Sequence, residues 1–220
     1  IGKFKNGKPQ AIPGHNIPLA TAGVIILWLG WFGFNGGSVL SADPGLTSLT
    51  LVTTCLAAAA GGVVAMLVST ICYKNLDLTM FLNGILGGLV AITAGADQMS
   101  PTNAILIGAI AGAIIVFAVS CIDRLKLDDP VGAIAVHLIC GIWGTLAVGI
   151  FGALAGWSQF VSQLIGVVSY AAICIISSFI IFIILKKTMG IRVSEREELE
   201  GLDAHEHGMD AYPDFRLNEH

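Results

Sequence analysis

Apolar residues run along this chain in long blocks rather than at the alternating or seven-residue spacings of soluble elements. Six blocks qualify: roughly 17–40, 47–73, 80–97, 101–122, 130–154 and 159–186. A bilayer-crossing helix takes about 20 mostly apolar residues, so each block predicts one transmembrane helix. The third is short and glycine-rich. Turn and cap residues separate them: Ser41-Ala-Asp-Pro-Gly45 after the first and Lys74-Asn-Leu-Asp77 after the second. Ser100-Pro101 and Asp129-Pro130 each predict an N-cap followed by proline at the first helical position, where its missing N–H costs nothing.

Composition and charge sharpen this picture. The chain has 220 residues, 55% of them hydrophobic and 12% charged. Soluble domains carry roughly 25% charged residues, so a small water-soluble core is excluded. Nucleic acid is excluded as a partner, because no basic patch with interleaved aromatics occurs. Cys55, Cys72, Cys121, Cys140 and Cys174 lie in or at the ends of apolar blocks without CxxC spacing, which predicts small buried hydrophobes rather than ligands or disulfides. Residues 1–16 are polar and basic, and the apolar block after them is too long for a signal peptide.

If the six blocks alternate across the membrane, one side receives residues 1–16, the 74–79 loop, the 123–129 loop and the tail. Those regions, with Lys186 and Lys187 where the sixth block meets the tail, hold all 11 Lys and Arg residues. The positive-inside rule makes that side cytoplasmic. The expected organisation is a cytoplasmic loop over 1–16, a six-helix transmembrane region over 17–187 and a cytoplasmic tail over 188–220. The setting is a cell (inner) membrane crossed several times. The tail carries nine of the chain's acidic residues and no apolar run. A solvated, disordered terminus is one account of it.

Candidate chemistry is sparse. His137, about two turns into the fifth block, is the only ionisable side chain well within hydrocarbon depth. Such a group faces a cavity, a relay or a partner helix. A neutral imidazole donates and accepts at once, which suits a path for a small hydrogen-bonding solute or a proton. The alternative is an imidazole hydrogen-bonded to a neighbouring helix for structure alone. In the first block, helical spacing places Leu27, Trp31, Phe34 and Ser38 on one stripe. Packing explains such a stripe in any bundle. The functional alternative is an aromatic constriction at Phe34 with the Ser38 hydroxyl one turn nearer the outside, a ring face able to attract a small cation. Asn35 needs a hydrogen-bond partner, most simply an adjacent helix. Gly84/Gly88, Gly108/Gly112 and Thr145/Gly149 predict packing faces, and Asp129 a helix cap. Phosphate loops, nucleophile elbows and metal-spaced clusters do not occur within the spans, so no enzyme, metal or cofactor is expected. His205 and His207, with acids nearby, are read as part of the solvated tail.

Together these residues resemble the ammonium transporter family (Amt/Mep/Rh), its bacterial or archaeal Amt branch above all. The resemblance runs through His15-Asn-Ile-Pro18, Gly30-Trp-Phe-Gly-Phe-Asn-Gly-Gly-Ser38, Asp128-Asp-Pro130, Val136-His-Leu-Ile-Cys-Gly-Ile-Trp-Gly144 and Gly201-Leu-Asp-Ala-His-Glu-His-Gly-Met-Asp-Ala-Tyr212. It implies an all-α membrane fold: six helices here, half of an eleven-helix protomer with inverted-repeat architecture, assembled as a homotrimer with one narrow hydrophobic pore per protomer. By similarity His137 is the second of a pore histidine pair, Phe34 the second ring of a phenylalanine gate and Ser38 part of an outer ammonium site. Trp31 and Leu27 are pore wall, and Asp129 and Asn35 structural. The tail residues Gly190, Gly201, Asp203, His207, Gly208 and Tyr212 belong to a regulatory element that packs on the cytoplasmic face and meets a PII-type signal protein.

The resemblance further implies ammonium transport, with NH4+ recruited outside and deprotonated before passage. Its alternative is an ammonium sensor on the same fold, signalling through the tail. Two departures stand out. Gly132 occupies a position where some members carry a second aspartate. The chain also begins where the sixth helix is expected, so helices one to five, with the first pore histidine and first gate phenylalanine, are expected in a missing N-terminal half.

Overall fold

The computed structural model describes residues 2–5, 7–10 and 12–212; the end of the predicted tail, including Arg216, lies outside the described residues. A two-strand hairpin, β1 (Phe4–Lys5) with β2 (Lys8–Pro9), precedes the helices. These are α1 (Ile17–Ser38), α2 (Pro44–Tyr73), α3 (Leu78–Thr93) and α4 (Pro101–Arg124), then a π-helical turn (Ile134–Ile139) running into α5 (Cys140–Phe151). Next come α6 (Trp157–Thr188) and two short tail helices, α7 (Glu195–Glu200) and α8 (Leu202–His207). Lys3–Tyr170 form one compact unit, and a second is built on the chain from Ala171 onward. Helices α1, α2, α4, α6 and the run Ile134–Phe151 are long and apolar enough to cross a membrane. With 16 residues, α3 rises only about 24 Å at 1.5 Å per residue.

Boundaries moved where local chemistry outweighed hydropathy. Ser41–Gly45 closes α1 and also opens α2: the Asp43 carboxylate accepts from Leu46 N–H at 2.6 Å, with Pro44 at the first helical position. That start precedes the expected residue 47. The third block stops as a helix at Thr93 rather than 97, because the chain turns over Gly95, whose carbonyl accepts from the N–H groups of Gln98 and Met99. Ser100 caps α4 as predicted, accepting from Asn103 N–H.

The Asp129-Pro130 expectation fails in its detail. Pro130 sits in a turn, and Gly132 takes a left-handed φ of +73° that breaks any helix there. The Asp129 carboxylate instead reaches over the turn and accepts from the N–H groups of Ile134 and Ala135 at 3.0 and 3.2 Å. It still satisfies the orphan donors of a helix start.

In the 3–170 unit α2 lies between α3 and α4, held by backbone contact. A Cβ on Gly88 or on Gly108 would strike the Ala57 carbonyl, and one on Gly84 or Gly112 the Gly61 carbonyl. A Cβ on Gly149 would meet the Phe160 backbone at 2.5 Å. These glycines act as the small-residue faces that lipid-embedded helices need, since apolar burial gives no preference for helix over lipid there. Ile107, Ile115, Met99, Val136 and Cys140 fill the core beside them. Cys140 alone of the five cysteines is buried; Cys55, Cys72, Cys121 and Cys174 are exposed on this chain's surface, and all five are free thiols.

Candidate functional site

The predicted aromatic stripe rides on α1. Asn16 caps that helix, its side chain accepting from Leu19 N–H at 2.9 Å, and Pro18 occupies the first turn. One face of α1 turns inward: Asn35, 3% exposed, donates from Nδ2 to Thr54 Oγ1 on α2 at 3.0 Å. Its Oδ1 has no partner among the described residues. The other face is open. Leu27 and Ser38 are exposed, Phe34 is 58% exposed and Trp31 is half-buried. Trp31 and Phe34 meet edge to face, with centroids 5.7 Å apart and planes at 80°. The Ser38 hydroxyl donates to the Phe34 carbonyl at 2.7 Å.

His137 sits inside the π-helical turn. There Cys140 N–H donates to the Ala135 carbonyl five residues back, while Val136 N–H bonds Gly132 O at 2.7 Å. The extra residue of a π turn re-aims the side chains it carries, and such turns recur at functional sites. Val136 is buried and His137 exposed. Among the described residues the imidazole has no hydrogen-bond partner, so the structural alternative of a tie to a neighbouring helix is not met in this chain. No hydrogen bond joins His137 to the α1 stripe. Where α1, α3 and the π turn begin, a cavity of about 510 Å³ opens, lined among others by Lys3, Val24, Asn83, Asp129 and Gly132.

Several residues that complete the arrangement carry no signal in the sequence. Thr54 and Thr93 accept from Asn35 and Trp31 across gaps of 19 and 62 residues. Nothing local marks a threonine as another helix's acceptor. The π turn likewise escapes hydropathy. Among the described residues no group of three His, Cys, Asp or Glu side chains could hold a metal ion.

The tail is built with its own caps. At the end of α6, Gly190 takes φ +76° and its N–H bonds the Leu185 carbonyl. Ser194 and Glu197 form a reciprocal capping box on α7, which satisfies two orphan donors at once. Hydrogen bonds from Ser194 hold the Glu197 carboxyl below its ordinary value. Arg196, then His205, do the same to Glu200. Gly201 at φ +100° joins α7 to α8, and Gly208 at φ +67° ends α8. Asp203 accepts from Ala211 N–H at 2.8 Å. His207 and Tyr212 are exposed.

Known proteins resemble this arrangement along its whole length. The signature of the Ammonium Transporter Family matches residues 1–212. The ammonium transporter Amt2 of Archaeoglobus fulgidus is 44% identical over all of this chain and 51% of its own length. Amt2 of Methanocaldococcus jannaschii is 40% identical, over 97% of this chain and 51% of itself. Among solved structures, one named "Sensor Amt Protein" superposes with TM-score 0.89 at 38% identity, covering 93% of this chain and 53% of that one. Candida albicans Mep2 follows with TM-score 0.81 and 28% identity over 99% and 52%. The chain thus spans about half the length of the relatives it matches. With that match, and with multi-pass apolar helices packed as theirs are, this chain belongs to the ammonium transporter family.

Proposed function

We propose that this chain forms one half of an ammonium pore and that a second, N-terminal half of five helices closes over the open faces of α1 and the π turn. One observation carries the reading: an imidazole without a partner and an edge-to-face aromatic pair stand on uncovered faces of otherwise apolar helices. The bilayer penalises a full cation, so NH4+ needs polar and π contacts at the mouth and a neutral form beyond it. Ser38 suits the mouth. Its single proton is committed to the Phe34 carbonyl, which leaves its lone pairs to accept from an ammonium N–H. Phe34 then excludes water, and NH3 passes along Trp31 and Leu27 to His137. The proton travels separately through the histidines. Asp129 serves this path by holding the start of the turn that aims His137.

The reading places the protein in the inner membrane as a homotrimer with both ends of this chain in the cytoplasm. The capped tail, with Gly190, Gly201, Asp203, His207, Gly208 and Tyr212, offers a surface to a PII-type protein. The full transporter in liposomes tests the pore: His137→Ala should change ammonium-evoked current or admit K+, Phe34→Ala should open a wet path, and Ser38→Ala should raise KM with a modest loss of maximum rate. Unchanged current and unchanged selectivity in all three would end it. A second reading, an ammonium sensor signalling through the tail, is favoured by the likeness to the Sensor Amt Protein at TM-score 0.89. Deleting residues 201–220 separates the two. A transporter loses flux or its regulation by PII, whereas a sensor keeps its flux and loses only the downstream response.

A further inference from the structure

Two indoles one turn apart on α1 are treated differently. Trp28 Nε1 is buried with no acceptor among the described residues. Trp31 Nε1 donates to Thr93 Oγ1 at 2.9 Å, and that hydroxyl donates in turn to the Leu89 carbonyl at 2.7 Å. The direction of the chain is fixed by valence. An indole N–H only donates, and the one hydroxyl proton is spent on Leu89, so toward Trp31 the oxygen only accepts. Thr93 is the last residue of α3, and its back-bond to the carbonyl four residues earlier holds one rotamer. The bond therefore clamps the indole plane from a neighbouring helix, and that indole is the ring that meets Phe34 edge to face.

We infer that Thr93 is a positioning residue for the gate: through Trp31 it sets the orientation of Phe34 and so the size discrimination of the pore. The inference rests on the pore reading above. Without the threonine oxygen, the indole loses its acceptor and turns toward the open face in search of another. Phe34 loses its edge contact, and a freed N–H donor enters the path, where the lone pair of a neutral amine can accept from it. The smallest probe that senses this change is one methyl larger than ammonium.

The test uses the full transporter in proteoliposomes with ammonium and methylammonium as probes. Thr93→Val keeps the branched shape without the acceptor, Thr93→Ala removes both, and Thr93→Ser keeps the hydroxyl. Losing a neutral hydrogen bond should shift the methylammonium-to-ammonium ratio of Vmax/KM by roughly three- to tenfold in T93V and T93A. T93S should restore the parent ratio. A packing role alone lowers the amount of folded protein without moving that ratio. Ultraviolet resonance Raman, taken as the difference from Trp31→Phe, should show the indole N–H band moved in T93V and unmoved in T93S. Flux in the parent with an unchanged ratio in T93V and T93A overturns the inference and leaves the pore reading intact, even where the Raman band moves. A parent without ammonium flux overturns both.

Discussion

Helices α1 and α6 are both apolar and both bury none of their most hydrophobic window, yet they differ in what they present to the outside. On α1 four glycines, Gly23, Gly30, Gly33 and Gly37, face open space, interleaved with Trp31, Phe34 and Ser38. On α6 the one glycine, Gly166, stands among exposed Ile165, Val168, Ile173, Ile175, Ile176 and Phe179. A glycine inside a helix costs about 0.5–1 kcal/mol against alanine, and no described residue packs within 4 Å of these four positions to offset it. Such a face is stabilised only when another helix comes close, because close approach is what small residues provide in lipid. The α6 surface has the bulky, featureless character of a lipid contact. Two helices that both qualify as membrane spans thus carry two different surfaces, one suited to protein and one to acyl chains. This contrast supports the proposed N-terminal half covering α1.

Substitutions can break that comparison, and the interior sets its upper bound. Gly88→Val and Gly108→Val press on the Ala57 carbonyl from two sides, and backbone cannot move aside as a side chain can. Each should cost roughly 3 kcal/mol or more, at the upper end for overpacking. The loss is read as missing detergent-stable protein in size-exclusion profiles. Next in size, Gly30→Leu and Gly33→Leu should destabilise the full transporter by about 1–3 kcal/mol if a helix packs there. Gly166→Leu on α6 should stay within about 0.5 kcal/mol, as surface changes do. Equal melting temperatures for the two sets would erase the distinction between the surfaces.

Smaller effects refine how α1 is held. Asn35→Leu should cost no more than about 1 kcal/mol, because losing the bond to Thr54 is offset by removing an unpaired buried oxygen. A much larger loss in thermal unfolding would mean that Oδ1 has a partner in the assembled protein.

The smallest expected change lies in the tail. Ser194→Ala should weaken α7 by about 1 kcal/mol, seen as faster amide exchange at residues 195–200. The same capping box carries a pH dependence. Glu197 is held below its ordinary value of 4.5, so its contribution is full above that value and is lost as pH falls from there through the depressed folded value. Exchange protection of α7 that is unchanged from pH 6 to 3 would show that the carboxylate is not what holds the helix.

How far the chain could be read ahead of its structure depends on how local the cause was. Ser100 announced its cap, and the caps made by Ser194 with Glu197 and by Gly190 are as local, since a cap is settled within one turn of the residue that makes it. Asp129 misled in part. Its carboxylate does serve a helix start, but Gly132 put a left-handed turn between them, and the helix opens as a π turn that no apolar pattern encodes.

Sequence alone determined that the chain belongs in a membrane it crosses several times, where its apolar blocks lie and that its basic residues gather in alternate connecting segments. Those properties follow from transfer free energies and charge counts, which sum over residues wherever they end up in space. The tertiary structure decided the rest. It chose Thr54 and Thr93 as the acceptors for Asn35 and Trp31, pressed Gly88 and Gly108 onto one carbonyl, and left His137 and Phe34 on uncovered faces. Each of these is a contact between residues far apart in the chain, and in lipid such contacts are selected by close packing and hydrogen-bond geometry, to which hydropathy is blind.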